Sequence, residues 1–193
     1  MPRRQARPIR SLPGVFLMTD ERMGEALWEA LERLPRGAGV VFRHYRLAPD
    51  ERRALFERVR RVTRRRRLVL LLAGLPRQAS AWKADGAYGR SPHRTASRPL
   101  VRTAPAHDRA EWIAARSRGC DLAFVSPLFA TRSHPGQPSL GRVRAGLMVG
   151  SDPSRVVLLG GMTQARFRSL RSMGFLGWAA IDAWTLLHPS SRT

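Results

Sequence analysis

The chain contains 193 residues, of which 43% are hydrophobic, and it carries a formal net charge of +21. This length and hydrophobic content are typical of one globular domain, and no apolar run approaches the ~20 residues that a membrane-spanning helix needs. Every basic residue except Lys83 is arginine, the arginines are spread along nearly the whole chain, and aromatic residues make up only 7%, a combination that disfavours nucleic-acid binding as the main function.

In the first part of the chain, short apolar runs alternate with amphipathic stretches. Residues 1–12 form a basic leader that we expect to be disordered. The apolar runs, which are bounded by turn residues, are predicted as strands at 15–19, 39–43 and 68–73. The amphipathic stretches, in which apolar residues recur every three or four positions, are predicted as helices at 22–34 and 49–67.

The second part of the chain repeats this alternation after a weaker region. Residues 74–98 contain only a short helix at 78–82, a short strand or turn at 85–89 and a polar loop. Further strands are predicted at 99–103, 122–125, 155–159 and 177–181. Further helices are predicted at 108–118, 140–149, 163–173 and 182–187.

This alternation indicates a parallel sheet, and a count of about eight strands favours a closed barrel over an open sheet. We therefore predict an α/β fold, a compact (β/α)₈ TIM barrel at 13–188 followed by a tail at 189–193. Such barrels typically need roughly 200 residues or more, so we expect the barrel to be shortened around residues 74–98. No dinucleotide-binding or phosphate-loop motif follows a predicted strand, which disfavours an open doubly wound sheet.

Several residues that follow predicted strands suit an anionic ligand, and α/β barrels place their active sites at the carboxyl ends of their strands. Arg43 directly ends a strand and offers a guanidinium fork, and His107 can move a proton near neutral pH. Gly160 and Gly161 precede the helix that we expect to begin at Thr163, where backbone N–H groups can approach a phosphate. The alternatives for these residues are a surface arginine, a helix-capping histidine and a plain glycine turn.

Six short motifs, spread between residues 15 and 183, resemble those of one known family. In chain order they are Leu17-Met18-Thr19-Asp20, Ala84-Asp85-Gly86, Ala106-His107, Ser126-Pro127-Leu128-Phe129-Ala130-Thr131-Arg132-Ser133-His134, Gly160-Gly161-Met162 and the stretch from Gly177 to Ala183. They resemble, respectively, the I-T-D, A-D-G, S-x-H, G-P-[IVL]-F-x-T-x-[ST]-K, G-G-[IVM] and G-V-x-x-I-S-A motifs of the thiamine phosphate synthase/TenI family. The fold that this resemblance implies is again a (β/α)₈ barrel.

The resemblance also implies functions and site residues. The family's synthase joins a pyrimidine diphosphate to a thiazole phosphate and releases pyrophosphate with Mg²⁺, whereas the TenI branch isomerises the thiazole phosphate. His107 matches the acid/base candidate of TenI-like members. The implied substrate-binding residues are Arg43, Thr131, Ser133 and His134, and the implied phosphate-binding residues are Gly160, Gly161, Ile181 and Asp182.

The chain departs from the family pattern where the family binds metal. Ala73-Gly74 replaces its Asn-Asp, and its second metal carboxylate would fall at or near His93. Because Mg²⁺ is usually bound through carboxylates, we predict no metal-ligating residue, and Mg²⁺ is implied only if the synthase chemistry survives. The family's Q-x-R-x-K pattern retains only Arg43, and Asp182 replaces a serine at the phosphate end.

Three functions are therefore left open for a member of this family. They are the synthase, a thiazole tautomerase that uses His107, and a non-catalytic barrel that binds a phosphorylated metabolite. The expected partners are small phosphorylated thiazole or pyrimidine metabolites, with no membrane association, and a homo-oligomer is compatible with the sequence. The single cysteine, Cys120, excludes an internal disulfide and predicts a cytoplasmic location.

Overall fold

The chain forms a closed barrel of eight parallel strands. The computed structural model describes residues 12–91, 99–131, 136 and 138–185. In chain order, the strands β1 to β8 are Val15–Met18, Gly39–Phe42, Val69–Ala73, Gly86–Tyr88, Val101–Ala106, Leu122–Val125, Val156–Leu159 and Gly177–Ala180. Each strand pairs in parallel with the next, and β8 pairs with β1. The predicted (β/α)₈ barrel is therefore confirmed.

Helices follow every strand except β4 within the described residues. In chain order, α1 to α7 are Ala26–Arg33, Pro49–Arg66, Pro76–Ala81, Arg109–Ser117, Gly141–Val149, Gln164–Arg168 and Asp182–Thr185. The described residues between β4 and β5 form no helix, and α3 has only 6 residues. The barrel is thus shortened where the sequence predicts it, although the predicted loop lies mostly outside the described residues.

The outer limits of the predicted domain are not tested by this structure. The leader, apart from Leu12, and the tail at 189–193 both lie outside the described residues, so the domain boundaries stay a prediction. None of the helices in the described part of the chain combines the length and the hydrophobicity needed to cross a bilayer.

The predicted helix at 22–34 is interrupted near its start. Residues Glu21–Met23 form a 3₁₀ turn that the Asp20 carboxylate caps, and α1 begins only at Ala26. Between them, Gly24 has a φ of +48°, which lies outside the right-handed helical region. The apolar spacing predicted one continuous helix because it does not register the backbone angle of a single glycine.

The predicted helix at 163–173 is divided into α6 and a 3₁₀ turn at Arg171–Met173. The Ser169 hydroxyl donates to the Arg166 carbonyl at 2.8 Å. In a continuous α-helix this carbonyl would accept a hydrogen bond from the Leu170 N–H. The Leu170 N–H instead donates to the Phe167 carbonyl at 3.0 Å. This 3₁₀-type hydrogen bond, which spans three residues instead of four, tightens the backbone and ends the α-helix early.

Strand β5 continues beyond the predicted end at residue 103, although residue 105 is a proline. The Thr103 carbonyl accepts a hydrogen bond from the Gly89 N–H at 2.9 Å. The backbone polar groups of residues 103 and 105 therefore point toward β4. Strand β4 ends at Tyr88, so no ladder hydrogen bond is lost where Pro105 has no N–H to donate. The longer strand carries His107 to the carboxyl end of the barrel.

Large apolar side chains fill the barrel interior, as expected for alternate strand positions that face inward. This buried cluster includes Phe16, Met18, Val41, Leu71, Phe124, Val157 and Ala179. The rings of Phe16 and Phe124 pack edge to face, with their centroids 5.0 Å apart. Two further buried clusters lie between the strands and the helices. Because the interior is packed, polar chemistry is left to the loops at the strand ends.

Two aspartates tie neighbouring strands together at the amino-terminal end of the barrel. Asp85 directly precedes β4, and its carboxylate accepts a hydrogen bond from the Leu70 N–H at 2.8 Å. Asp121 directly precedes β6, and its carboxylate accepts one from the Arg102 N–H at 2.8 Å. Asp85, the polar residue of the A-D-G motif, therefore contacts backbone at the end of the barrel opposite the strand ends that form active sites.

Replacing Asp85 by alanine is expected to lower the free energy of unfolding by about 1.5–3 kcal/mol, because a buried N–H loses a charged acceptor. Leu70, which carries that N–H, is only 1% exposed. Urea unfolding measures the loss, and Asp50→Ala, in the exposed first turn of α2, is a control expected to cost less than about 1 kcal/mol. Equal losses in the two variants would contradict the role of Asp85.

Candidate active site

Loops and turns at the carboxyl ends of the strands enclose a cavity of about 630 Å³. The predicted site residues in its wall are Arg43, His107, Thr131, Gly160, Gly161, Ile181 and Asp182. Ser133 and His134 lie outside the described residues. Residues that follow five different strands of the barrel thus meet at one opening, while the role of each stays a prediction.

The end of β1 holds Arg43 in the cavity wall. Its Nε donates to the Thr19 carbonyl at 2.7 Å, and its backbone N–H donates to the Thr19 hydroxyl at 3.0 Å. One guanidinium nitrogen also lies 3.3 Å from Asp20 Oδ2, and the side chain is 20% exposed. A guanidinium fixed by these contacts is already oriented when an anion enters the cavity.

His44, the residue after Arg43, packs behind this part of the cavity wall. Its Nδ1 lies 3.0 Å from the Thr19 hydroxyl, and its ring stacks on that of Phe42 with centroids 4.8 Å apart. The residue is 4% exposed, and burial lowers the pKa of its imidazole below the usual value of 6.5. His44 is therefore a neutral, buried side chain at pH 7.

Replacing Asp20 by asparagine is expected to cost about 1 kcal/mol of unfolding free energy at pH 7 and to reduce the acid sensitivity of the protein. The hydrogen bond from Arg22, with a contribution from Arg43, lowers the pKa of the Asp20 carboxyl below 3.8, although burial opposes this effect. A lowered folded-state pKa stabilises the protein above the unfolded value of 3.8, and this contribution is lost as pH falls through the folded pKa.

Urea unfolding of both proteins from pH 7 into the acid range checks this prediction. The difference in unfolding free energy between wild type and Asp20→Asn should shrink as the Asp20 carboxylate becomes protonated. A difference that stays constant down to the acid unfolding of the protein would contradict it.

The backbone at the end of β6 orients the ring of His107. Its Nδ1 lies 2.8 Å from the Ser126 carbonyl oxygen and 3.2 Å from the Ser126 hydroxyl. Because a carbonyl oxygen can only accept, Nδ1 carries the hydrogen in the neutral ring and Nε2 keeps the lone pair. Since His107 lines the cavity, Nε2 is the atom available to take a proton from a bound ligand.

The start of α4 fixes the backbone of His107. The N-cap of this helix is Asp108, whose side chain accepts from the Glu111 N–H at 2.8 Å. The Glu111 carboxylate in turn accepts from the His107 N–H at 2.8 Å and pairs with Arg90 at 2.6 Å. The histidine therefore does not cap the helix itself, which removes the capping alternative for His107.

The two glycines after β7 pack directly against the loop after β6. Gly160 and Gly161 have φ angles of +95° and +59°. A Cβ on Gly160 would lie 2.7 Å from Pro127 Cα, and one on Gly161 would lie 2.5 Å from the Ala130 carbonyl oxygen. This close approach by itself requires glycine at both positions, and both glycines line the cavity wall.

Asp182, which replaces a serine of the family, is the first residue of α7 and lines the cavity. Asp20, together with a smaller contribution from Asp182, raises the pKa of the Arg22 guanidinium. Asp182 therefore lies within the electrostatic reach of an arginine.

Arg52 is a further residue at these strand ends, and sequence reasoning missed it. Its Nη2 donates to the carbonyl of Arg43 at 3.1 Å and to the carbonyl of Ala73 at 2.7 Å. Three aromatic rings lie 5.5–5.8 Å from its guanidinium carbon, those of Phe42, Tyr45 and Trp82. Burial lowers its pKa. In the sequence Arg52 is one arginine among many. Only its position in the first turn of the helix that follows Arg43 could have indicated that it lies near the strand ends.

The strand ends that would bind Mg²⁺ in the family that the sequence resembles do not fit the ion. Strands β3 and β4 end at Ala73 and Tyr88, and neither 58–84 nor 86–107 contains an aspartate or a glutamate. Asp20, the carboxylate beside Arg43, already pairs with Arg22 at 2.7 Å. Within the described ranges, no group of three or more histidine, cysteine, aspartate or glutamate side chains could hold a metal ion.

Comparisons with known proteins agree with this architecture. The structure is similar to thiamine phosphate pyrophosphorylase from Pyrococcus furiosus, with a TM-score of 0.70 and 23% identity over 89% of this chain and 86% of that chain. It is also similar to thiamine phosphate pyrophosphorylase from Bacteroides thetaiotaomicron, with a TM-score of 0.61 and 15% identity over 94% of this chain and 89% of that chain. At these identities, the similarities show the fold.

A comparison of the sequence with protein-family models shows the family to which the chain belongs. No curated protein matches it significantly, but the family model described as thiamine monophosphate synthase matches residues 15–184. That match covers most of the barrel, including the strands and loops that enclose the cavity. The chain therefore belongs to the thiamine monophosphate synthase (TMP-TENI) family.

Proposed function

We propose that the cavity binds a thiazole phosphate, or a similar small phosphate ester of thiamine biosynthesis, and that His107 moves a proton on the bound ligand. The observation that carries this proposal is the arrangement of Arg43, His107, Thr131 and the Gly160-Gly161 turn around one opening. The volume of about 630 Å³ lies within the roughly 300–1,000 Å³ that is typical of small-molecule sites.

In this proposal the phosphate lies against the Gly160-Gly161 turn, which lines the cavity. Thr131 supplies a hydroxyl to the thiazole from the loop after β6, and Ser133 and His134 are assigned to the same ligand on sequence alone. Ile181 and Asp182 border the phosphate. These assignments rest on family membership and on the lining of the cavity.

Proton transfer is the chemistry that the polar groups of the cavity support best. The hydrogen bond from Nδ1 to the Ser126 carbonyl leaves Nε2 of His107 to remove a proton from one ligand atom and return it to another. Such an isomerisation converts one tautomer into the other without a second substrate or a metal. It therefore needs few of the residues in which this chain departs from its family.

The synthase reaction is the second candidate, because family membership favours it. Mg²⁺, when bound, would neutralise charge on a diphosphate substrate. The absence of carboxylates after β3 and β4 argues against that role in this chain, and we derive no step through the ion. A cytoplasmic location and a homo-oligomeric state both stay predictions.

Calorimetry with thiazole phosphate, combined with NMR detection of its tautomers, tests the proposal. Binding together with accelerated tautomer exchange would support it, and binding without turnover would instead identify a non-catalytic metabolite-binding barrel. Complementation of a strain that lacks thiamine phosphate synthase would indicate the synthase. A protein that does none of these would contradict every function considered for the cavity.

A further inference from the structure

We infer that this chain binds the anionic part of its ligand through arginine and without a divalent cation, with Arg43 in the cavity wall and Arg52 as its positioning residue. The inference rests on the proposed function, because it describes how the same cavity recognises a phosphate ester. It departs from the metal-dependent recognition that family membership implies. Three features of the strand ends support it.

The first feature is that neither residue at the end of β3, Ala73 or Gly74, has a side chain that could bind a metal ion. A Cβ on Gly74, which has a φ of +155°, would lie 2.7 Å from Gln78 Oε1. Ala73 offers only its carbonyl oxygen, and that oxygen accepts the hydrogen bond from Arg52 at 2.7 Å. A carboxylate side chain at residue 74 would displace the end of the Gln78 side chain, and the available carbonyl oxygen of Ala73 already has a cationic donor.

The second feature is the sign of the charge at these strand ends. The guanidinium groups of Arg52 and Arg43 are permanently charged, and Arg52 contacts the backbone of both β3 and the residue after β2. The carboxylate of Asp20 is shared between Arg43 and Arg22. A divalent cation would meet two nearby guanidinium charges, whereas an anion would be attracted.

The third feature is the way in which Arg52 fixes Arg43. Its Nη2 joins the carbonyls of Arg43 and Ala73, which ties the end of β2 to the end of β3. Its guanidinium is also held against aromatic rings, so its own position is restricted. Nε of Arg52 is buried and has no hydrogen-bond partner among the described residues.

Calorimetry of the wild-type protein with pyrophosphate, at physiological salt, tests whether a metal is needed. We expect binding in EDTA, and we expect millimolar Mg²⁺ to leave the affinity unchanged or to weaken it, because the ion competes for pyrophosphate in solution. Tightening of about tenfold or more by Mg²⁺ would overturn the inference. So would the absence of pyrophosphate binding under both conditions.

Three variants test the arginines themselves. Arg43→Met and Arg52→Met are each expected to weaken pyrophosphate binding by about tenfold or more, and Arg52→Lys, which keeps the charge but not the paired hydrogen bonds, by less. Arg58→Met is the matched control, because Arg58 lies on the same helix, is exposed and packs on Trp28. An equal loss in Arg58→Met would show that only net charge matters and would overturn the inference.

Two further readouts separate this inference from the proposed function. Thermal unfolding identifies variants that lose binding because they fail to fold, and the comparison of EDTA with Mg²⁺ needs no variant. If pyrophosphate binds in EDTA but thiazole phosphate does not bind, the arginine site stands and the proposed ligand is wrong. If thiazole phosphate binds only with Mg²⁺, the proposed ligand stands and the arginine inference is wrong.

Discussion

Replacement of His107 by alanine is expected to slow isomerisation of thiazole phosphate by about 10²- to 10⁴-fold, the contribution typical of a positioned acid/base. The imidazole lines the cavity, and its Nδ1 contact with the Ser126 carbonyl at 2.8 Å leaves Nε2 to accept the proton. Tautomer exchange followed by NMR measures the rate. Calorimetry should show that affinity changes less than the rate, because the other ligand contacts remain.

Ser126→Ala is the matched control for His107→Ala. It removes the hydroxyl at 3.2 Å but keeps the carbonyl that orients the ring, so the rate should fall by less than about tenfold. An unchanged rate in His107→Ala would exclude the histidine from the reaction. If the wild-type protein binds thiazole phosphate without any turnover, the function is that of a binding protein and not of an isomerase.

Replacement of Gly161 by alanine is expected to lower the free energy of unfolding by about 2–4 kcal/mol and to weaken ligand binding. An alanine there would have to adopt a φ of +59°, and its Cβ would lie 2.5 Å from the Ala130 carbonyl oxygen. The clash pushes the loop after β6 away from the turn after β7. Urea unfolding and calorimetry with thiazole phosphate measure the two effects.

Gly37→Ala separates the clash from the backbone strain. Gly37 also has a positive φ, of +80°, but a Cβ there would meet nothing within 4 Å. This variant should cost only about 1–2 kcal/mol and should leave the affinity for thiazole phosphate unchanged. Equal unfolding free energies for the two variants would mean that the close approach at Gly161 contributes nothing to stability.

The alternation of apolar runs with amphipathic stretches was sufficient to predict the barrel, because parallel strands that are covered by helices leave a strong local pattern. The prediction was wrong where single residues act through the backbone. Gly24 interrupts the helix predicted at 22–34, Ser169 shortens the one predicted at 163–173, and Pro105 is tolerated because the neighbouring strand has already ended. Hydrophobic spacing carries no information about such hydrogen bonds.

The sequence by itself determined which residues follow the strands, and therefore which could reach the cavity. Arg43, His107 and Gly161 were identified in this way because each lies directly after an apolar run or between a run and a predicted helix. Only the tertiary structure decided that they meet around one cavity, because closure of β8 on β1 brings distant loops together.

The tertiary structure alone also decided how these residues are supported. It revealed that Arg52 ties Arg43 to the end of β3, and that Ser126 orients the ring of His107. The spacing of these residues in the sequence follows no helix or strand period. The direction of each side chain, and the distance between neighbouring backbone segments, depend on the packed fold. The order of the strands could therefore be predicted from the sequence, whereas the shape and charge of the cavity depend on the tertiary structure.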